Sequence, residues 1–274
     1  MKTHHLLPVK ILAILFIPFL LIQCTGETAT NNTEEATTED PIALAASWAD
    51  TAQMKQYVLW DWKGAESAFQ KALELDAKLG RAHAHYGWLH QLRGNDTQAL
   101  QEMELAIQAE PQNPLWHAWK GWMLLWADDG SEAMEAAQGG LAVDSSFSVS
   151  HYIIGTVYKE RGEAEKAIEH MEIAAQDPMF VFGLGVAHAH TGNIEKALEI
   201  AQQLADTGET WNLWGIAEIY TTLGDKEKAM EWVQKAFDQK HPYIPWLEKN
   251  IILATLSEDP RYQEIVEAMK LPSI

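Results

Sequence analysis

The chain has 274 residues, a formal net charge of −19 at pH 7 and a single cysteine. So acidic a surface repels phosphate backbones, which argues against nucleic-acid binding. One cysteine excludes a disulfide within the monomer, so packing alone must hold the fold.

Residues 1–23 carry Lys2 and Lys10, then an apolar run from Ile11 to Ile22, and end just before Cys24. A run this short with basic flanks reads as a secretory signal, not a membrane span. Leu21-Ile22-Gln23-Cys24 resembles a bacterial lipobox, which implies that Cys24 becomes the lipid-modified first residue of the mature chain. Gln23 departs from the small residue usual at that place. Cleavage after Gly26 is the alternative and would release a soluble periplasmic protein. Both readings place the chain in the bacterial cell envelope, the first as an outer-membrane lipoprotein on the periplasmic or surface face. Several acyl chains at Cys24 would anchor it stably where one binds only marginally. Loss of the signal with its two lysines takes the charge to −21. Residues 24–40 hold Thr, Asn and acids without Lys or Arg, and are expected to form a disordered acidic tether.

From residue 41 a spacing of 34 takes over: Gly87, Gly121 and Gly155 recur at that interval, and so do Ala99, Ala133 and Ala167. The period predicts a helical repeat array. Two-helix units begin near Ala46, Gly80, Pro114, Ser148, Pro178 and Thr210, the last two shortened. The fourth unit reads Ile154-Gly155, Tyr158, Gly162, Ala167, Met171 and Ala174. Gly and Ala fit where helix axes about 8–10 Å apart leave no room for larger side chains. Gly94, Gly162, Gly192 and Gly224 are placed to end first helices in a left-handed conformation. This pattern resembles the tetratricopeptide repeat, W-x2-L-G-x2-Y…A-x3-F…P, over roughly residues 45–241. Two further stretches, Trp60 to Ala65 and Ser257 to Tyr262, resemble repeat arrays that follow DNA-binding, kinase or cyclase domains in bacterial signalling proteins. Residues 1–40 are expected to hold no such domain, so the resemblance implies the array and its binding role. Departures at Gln53, Ala137, Gly140, Ser145 and Met179 predict less regular packing in those units. The expected fold is an all-α, right-handed solenoid of about six helix-turn-helix repeats over residues 41–241. Residues 242–274, punctuated by Pro242, Pro245 and Pro260, are expected to form C-terminal capping helices.

Chemistry is sparse. His83, His117 and His151 share one phase of three successive first helices, where a packing residue is usual; no carboxylate or thiolate recurs beside them, so no metal site is expected. No zinc-protease, nucleophile-elbow, phosphate-loop or dinucleotide motif occurs, and neither a cofactor nor an enzymatic activity is expected. Asp128-Asp129-Gly130 reads as a turn, since no calcium-loop acids follow it.

The twelve tryptophans are the unusual feature. The family resemblance implies a concave groove lined by first helices, and it places Trp88, Trp122, Trp126, Tyr152, Phe182, Trp211 and Trp214 there. Arg81 and Lys159, with Gln91, Thr156, Glu160, His190 and Glu218, are its polar candidates. Large apolar surface with polar handles suits a peptide segment of a partner protein. Three functions stand: an envelope scaffold or adaptor binding such a peptide, a glycan-binding surface lipoprotein whose rings stack on sugars, and a regulatory module for a separate signalling protein. The sequence leaves open whether the groove is free or filled by Tyr243 to Ile274.

Overall fold

The computed structural model describes residues 40–127 and 130–269. The expected signal, residues 24–39 of the expected tether with Cys24, and Asp128 and Asp129 of the expected turn lie outside the described residues. Among the described residues there are helices and turns but no strand. None of those helices is long and apolar enough to cross a membrane.

The helices run in antiparallel pairs: α1 (Pro41–Met54) with α2 (Trp62–Leu75), α3 (Gly80–Leu92) with α4 (Asp96–Ala109), and α5 (Pro114–Trp126) with α6 (Gly130–Val143). There follow α7 (Ser148–Glu160) with α8 (Ala164–Ala174), α9 (Val181–His190) with α10 (Ile194–Asp206), and α11 (Asn212–Thr222) with α12 (Lys226–Asp238). A last helix, α13 (Pro260–Met269), closes the described chain. Six pairs fall where the 34-residue period puts them, the first starting at Pro41 instead of Ala46.

Local chemistry sets the ends. Pro41 and Pro114 occupy first-turn positions, where a missing N–H costs nothing, and the Asp40 and Asn113 side chains accept from the N–H of Ile42 and Leu115. At the other end, Gly94 has φ 79° while its N–H donates to the Gln91 carbonyl and that of Asn95 to His90. The same two bonds recur at Gly162, Gly192 and Gly224, so a Schellman cap ends four of the first helices.

The glycine and alanine periods explain each other. A Cβ built on Gly87 would lie 2.9 Å from the Ala99 carbonyl oxygen; at Gly121 it would lie 2.9 Å from that of Ala133, and at Gly155 3.2 Å from that of Ala167. Each glycine of a first helix therefore lets the backbone of its own second helix approach, and the two periods are two sides of one contact.

The first pair departs from the rest. Where four others turn on glycine, α1 runs into a π-helical turn, Lys55–Leu59, which ends at Trp60 with φ 56°. The extra residue per turn rotates Tyr57 into the core. The array also curls round until its ends meet, with the ring of Phe237 from α12 6.1 Å from Trp60 and the Lys240 ammonium 5.5 Å above the same indole.

Beyond residue 241 only part of the chain acts as a cap. Helix α13 covers α12, with Arg261 bound to both Glu227 oxygens at 2.8 and 2.9 Å, and Tyr262 and Met269 buried. Residues 242–259, expected to be helical, form turns and two short 3-10 helices, Ile244–Trp246 and Leu253–Leu256. Pro242 and Pro245 lack the N–H groups a continuous α-helix would need. Residues 241–256 form a strap against the first helices of the array, reaching Trp88, Trp122 and Trp214.

Candidate functional site

The first helices bring the expected aromatics into one continuous belt. Trp88 on α3 sits edge-on to Trp126 at 5.5 Å between centroids, and Trp126 to Trp122 at 6.1 Å. Trp122 on α5 lies 5.2 Å from Tyr152 on α7, which lies 5.4 Å from Phe182 on α9. Trp211 and Trp214, at the start of α11, join through Tyr243 of the strap, 5.2 and 6.3 Å away. Tyr243 also reaches Trp122 at 6.1 Å.

The belt is covered. Trp88, Trp122, Tyr152 and Trp214 are buried; Trp126, Phe182 and Trp211 are half-buried. The cover is the strap itself. Its Trp246, 1% exposed, stacks on Tyr57 at 5.9 Å and meets the Trp88 ring edge-on at 6.0 Å. Its His241 lies parallel to Trp214, 11° between planes at 6.0 Å, and bonds the Trp211 carbonyl through Nε2 at 3.2 Å. Its Asn250 donates Nδ2–H to Glu218 Oε1 at 2.7 Å, and Lys249 lies 3.7 Å from Asp96 of α4.

Of the polar candidates, Arg81 pairs with Asp50 of α1 at 2.6 Å and with the Ala46 carbonyl at 2.8 Å, which ties the second repeat to the first. Lys159 is buried with Glu160 as its ion-pair partner. Gln91 donates to the Met123 carbonyl at 3.0 Å, and Thr156 to that of Tyr152. Glu218 sits at the centre of the strap contact. Its Oε1 accepts from Trp214 Nε1 and Asn250 at 2.7 Å each, and burial pushes its pKa up to about 7 despite those bonds and the Lys159 charge. Two histidines shift the other way. Burial, with the charge of Arg81, lowers His85 to about 3, while burial lowers His241 to about 4 against the opposing bond to Trp211.

The three periodic histidines have one structural task. His83, His117 and His151 each place Nε2 3.0–3.1 Å from a carbonyl six residues back, those of Ala77, Pro111 and Ser145, and so staple the turn that leads into each first helix. Among the described residues no group of three His, Cys, Asp or Glu is placed to hold a metal ion.

Sequence reasoning missed Tyr57, His241, Trp246 and Asn250 as parts of this site. The aromatic run His241-Pro-Tyr-Ile-Pro-Trp246, directly after the last repeat, was the available signal.

Family models for the tetratricopeptide repeat match residues 152–210 and 212–240. Over those residues the chain carries tetratricopeptide repeats. No curated protein sequence matches it. Among solved structures, this repeat array is similar to PilF of Pseudomonas aeruginosa, at 14% identity and a TM-score of 0.53 over 80% of this chain and 99% of that one. It is similar also to PilW, described as a widely conserved type IV pilus biogenesis factor, at 17% identity and 0.53 over 78% and 98%. The Cut9–Hcn1 hetero-tetramer of the APC/C gives 17% and 0.55, with 78% of this chain matching 42% of that one. At such identities the likeness concerns the fold of the tetratricopeptide array.

Proposed function

We propose that this tetratricopeptide protein is a non-enzymatic scaffold or adaptor of the bacterial cell envelope, held there through Cys24, that binds a peptide segment of a partner protein along its aromatic concave face. One observation carries the reading: that face already accommodates a turn-rich peptide segment, residues 241–256, through ring contacts and a buried amide bond. A surface that seats Tyr243, Trp246 and Asn250 has the chemistry of a peptide receptor, with aromatic anchors supplying most of the energy. The glycan reading is weaker, since sugar stacking needs an exposed ring face and the belt rings lie against one another and the strap.

The test is a photo-crosslinking residue placed at Phe182, half-buried in the belt, or at Leu105, exposed on α4. In intact cells the expected result is a protein adduct at position 182, mapped by mass spectrometry to one segment of one partner, and none at 105. Equal capture at both positions, or none at 182, contradicts peptide binding at this face.

A further inference from the structure

The strap satisfies its backbone within itself. The N–H groups of Ile244, Trp246, Leu247 and Asn250 donate to His241, Tyr243, Ile244 and Trp246 carbonyls, and Asn250 Oδ1 accepts from Ile252 and Leu253 at 3.0 and 2.8 Å. The aromatic belt and Glu218 therefore read the strap through side chains at positions 243, 246 and 250, while Ile244, Leu247, Leu253 and Leu256 pack into the core of the last repeat. Tyr243 sits among Trp122, Trp211 and Trp214, Trp246 between Tyr57 and Trp88, and Asn250 on Glu218.

The fit is also incomplete. Trp246 Nε1 and Glu218 Oε2 are buried without a hydrogen-bond partner, one on each side of the strap contact. A buried polar atom left unpaired weakens the state that buries it. A segment that seats its rings equally well and also pairs these atoms would bind the groove better than the strap does.

Resting on the peptide-binding reading, we propose that residues 241–256 are an exchangeable internal ligand, and that the partner segment presents an aromatic residue, a tryptophan three positions on and an amide side chain four positions further. Such a segment needs no strand pairing or helix formation, only the three seats the strap vacates. Because the strap is tethered at both ends by α12 and α13, it competes at high local concentration and raises the threshold for any partner.

The experiment uses the full chain and a fluorescein-labelled peptide of sequence 241–256, with binding read by anisotropy. Asn250→Ala removes the bond to Glu218, and with it the two bonds from Ile252 and Leu253, while keeping Tyr243 and Trp246, and circular dichroism verifies its fold. Since apparent affinity scales with the fraction of protein whose groove is open, Asn250→Ala is expected to bind the peptide about tenfold or more tightly than the native chain. A control peptide with both Tyr243 and Trp246 replaced by Ala is expected to bind neither. Folded Asn250→Ala that binds no peptide, or binds both peptides alike, overturns the proposal. Unchanged hydrogen exchange in that variant at residues 244–247, whose amides do not bond Asn250, overturns it too, because the strap is then a fixed part of the core. A partner adduct at position 182 that persists alongside such a failure would leave the peptide-binding reading standing without strap exchange.

Discussion

Trp246→Ala is expected to destabilise the protein by about 3–5 kcal/mol, the range for removing a fully buried indole from a core that cannot collapse around the space. Trp246 is 1% exposed, stacks on Tyr57, meets Trp88, and joins the core of the first four repeats although its neighbours Ile244 and Leu247 belong to the core of the last repeat. The side chain thus adds to the closure already made between Phe237 and Trp60. Equilibrium denaturation should show a lower midpoint, and near-ultraviolet circular dichroism should lose part of its aromatic signal while the helical signal is kept. A loss below about 1 kcal/mol, the scale of ordinary surface changes, would mean that this indole is not seated in the groove.

The second large effect is on the pH dependence of stability. Glu218 has its carboxyl raised from 4.5 to about 7 by burial, so the folded state holds that proton more tightly than the unfolded chain does. Its contribution is therefore unfavourable to folding at neutral pH: stability is lost as pH rises from about 4.5 to about 7 and is not regained above. His85 and His241, lowered from 6.5 to about 3 and about 4, act in the opposite sense and cost stability as pH falls below 6.5. Lys159 and Tyr152 are the other titratable groups that interact with the carboxyl. Glu218→Gln keeps an oxygen for Trp214 and Asn250 and removes the buried charge. It is expected to gain on the order of 1–2 kcal/mol at pH 8 and nothing at pH 4, less than the full linkage value because the new amide N–H₂ lacks an acceptor. A gain of equal size at both pH values would show that Glu218 keeps an ordinary pKa.

What the sequence made legible was the local grammar of the array. Gly87 against Ala99, and Gly94 in a left-handed cap, are determined by residues a few positions apart within one repeat, and a 34-residue period records both. The expected belt residues Trp88, Trp122, Trp126, Tyr152 and Phe182 also come together, because each occupies the same face of its first helix. Closure of the array was not legible. The approach of Phe237 to Trp60 accumulates from small rotations over six repeats, and no residue spacing encodes the sum. The strap was half legible: Pro242 and Pro245 mark an interrupted helix, but nothing in periodicity says that Trp246 returns to Tyr57, far back in the chain. The π-helical turn that aims Tyr57 inward replaces the missing turn glycine of the first repeat, and its left-handed residue is a tryptophan, which no helix-stop rule anticipates.

Native-state hydrogen exchange on the full chain, followed by mass spectrometry, separates a filled receptor from a solid core. The amides of Ile252 and Leu253, bonded to Asn250 Oδ1, should exchange through an opening that leaves Ile216 and Ile219 of α11 protected, since the strap is held mainly by side chains and the helix by its own ladder. Exchange of the strap only together with α11, in a single global unfolding, would contradict a concave face able to release its own segment and take another.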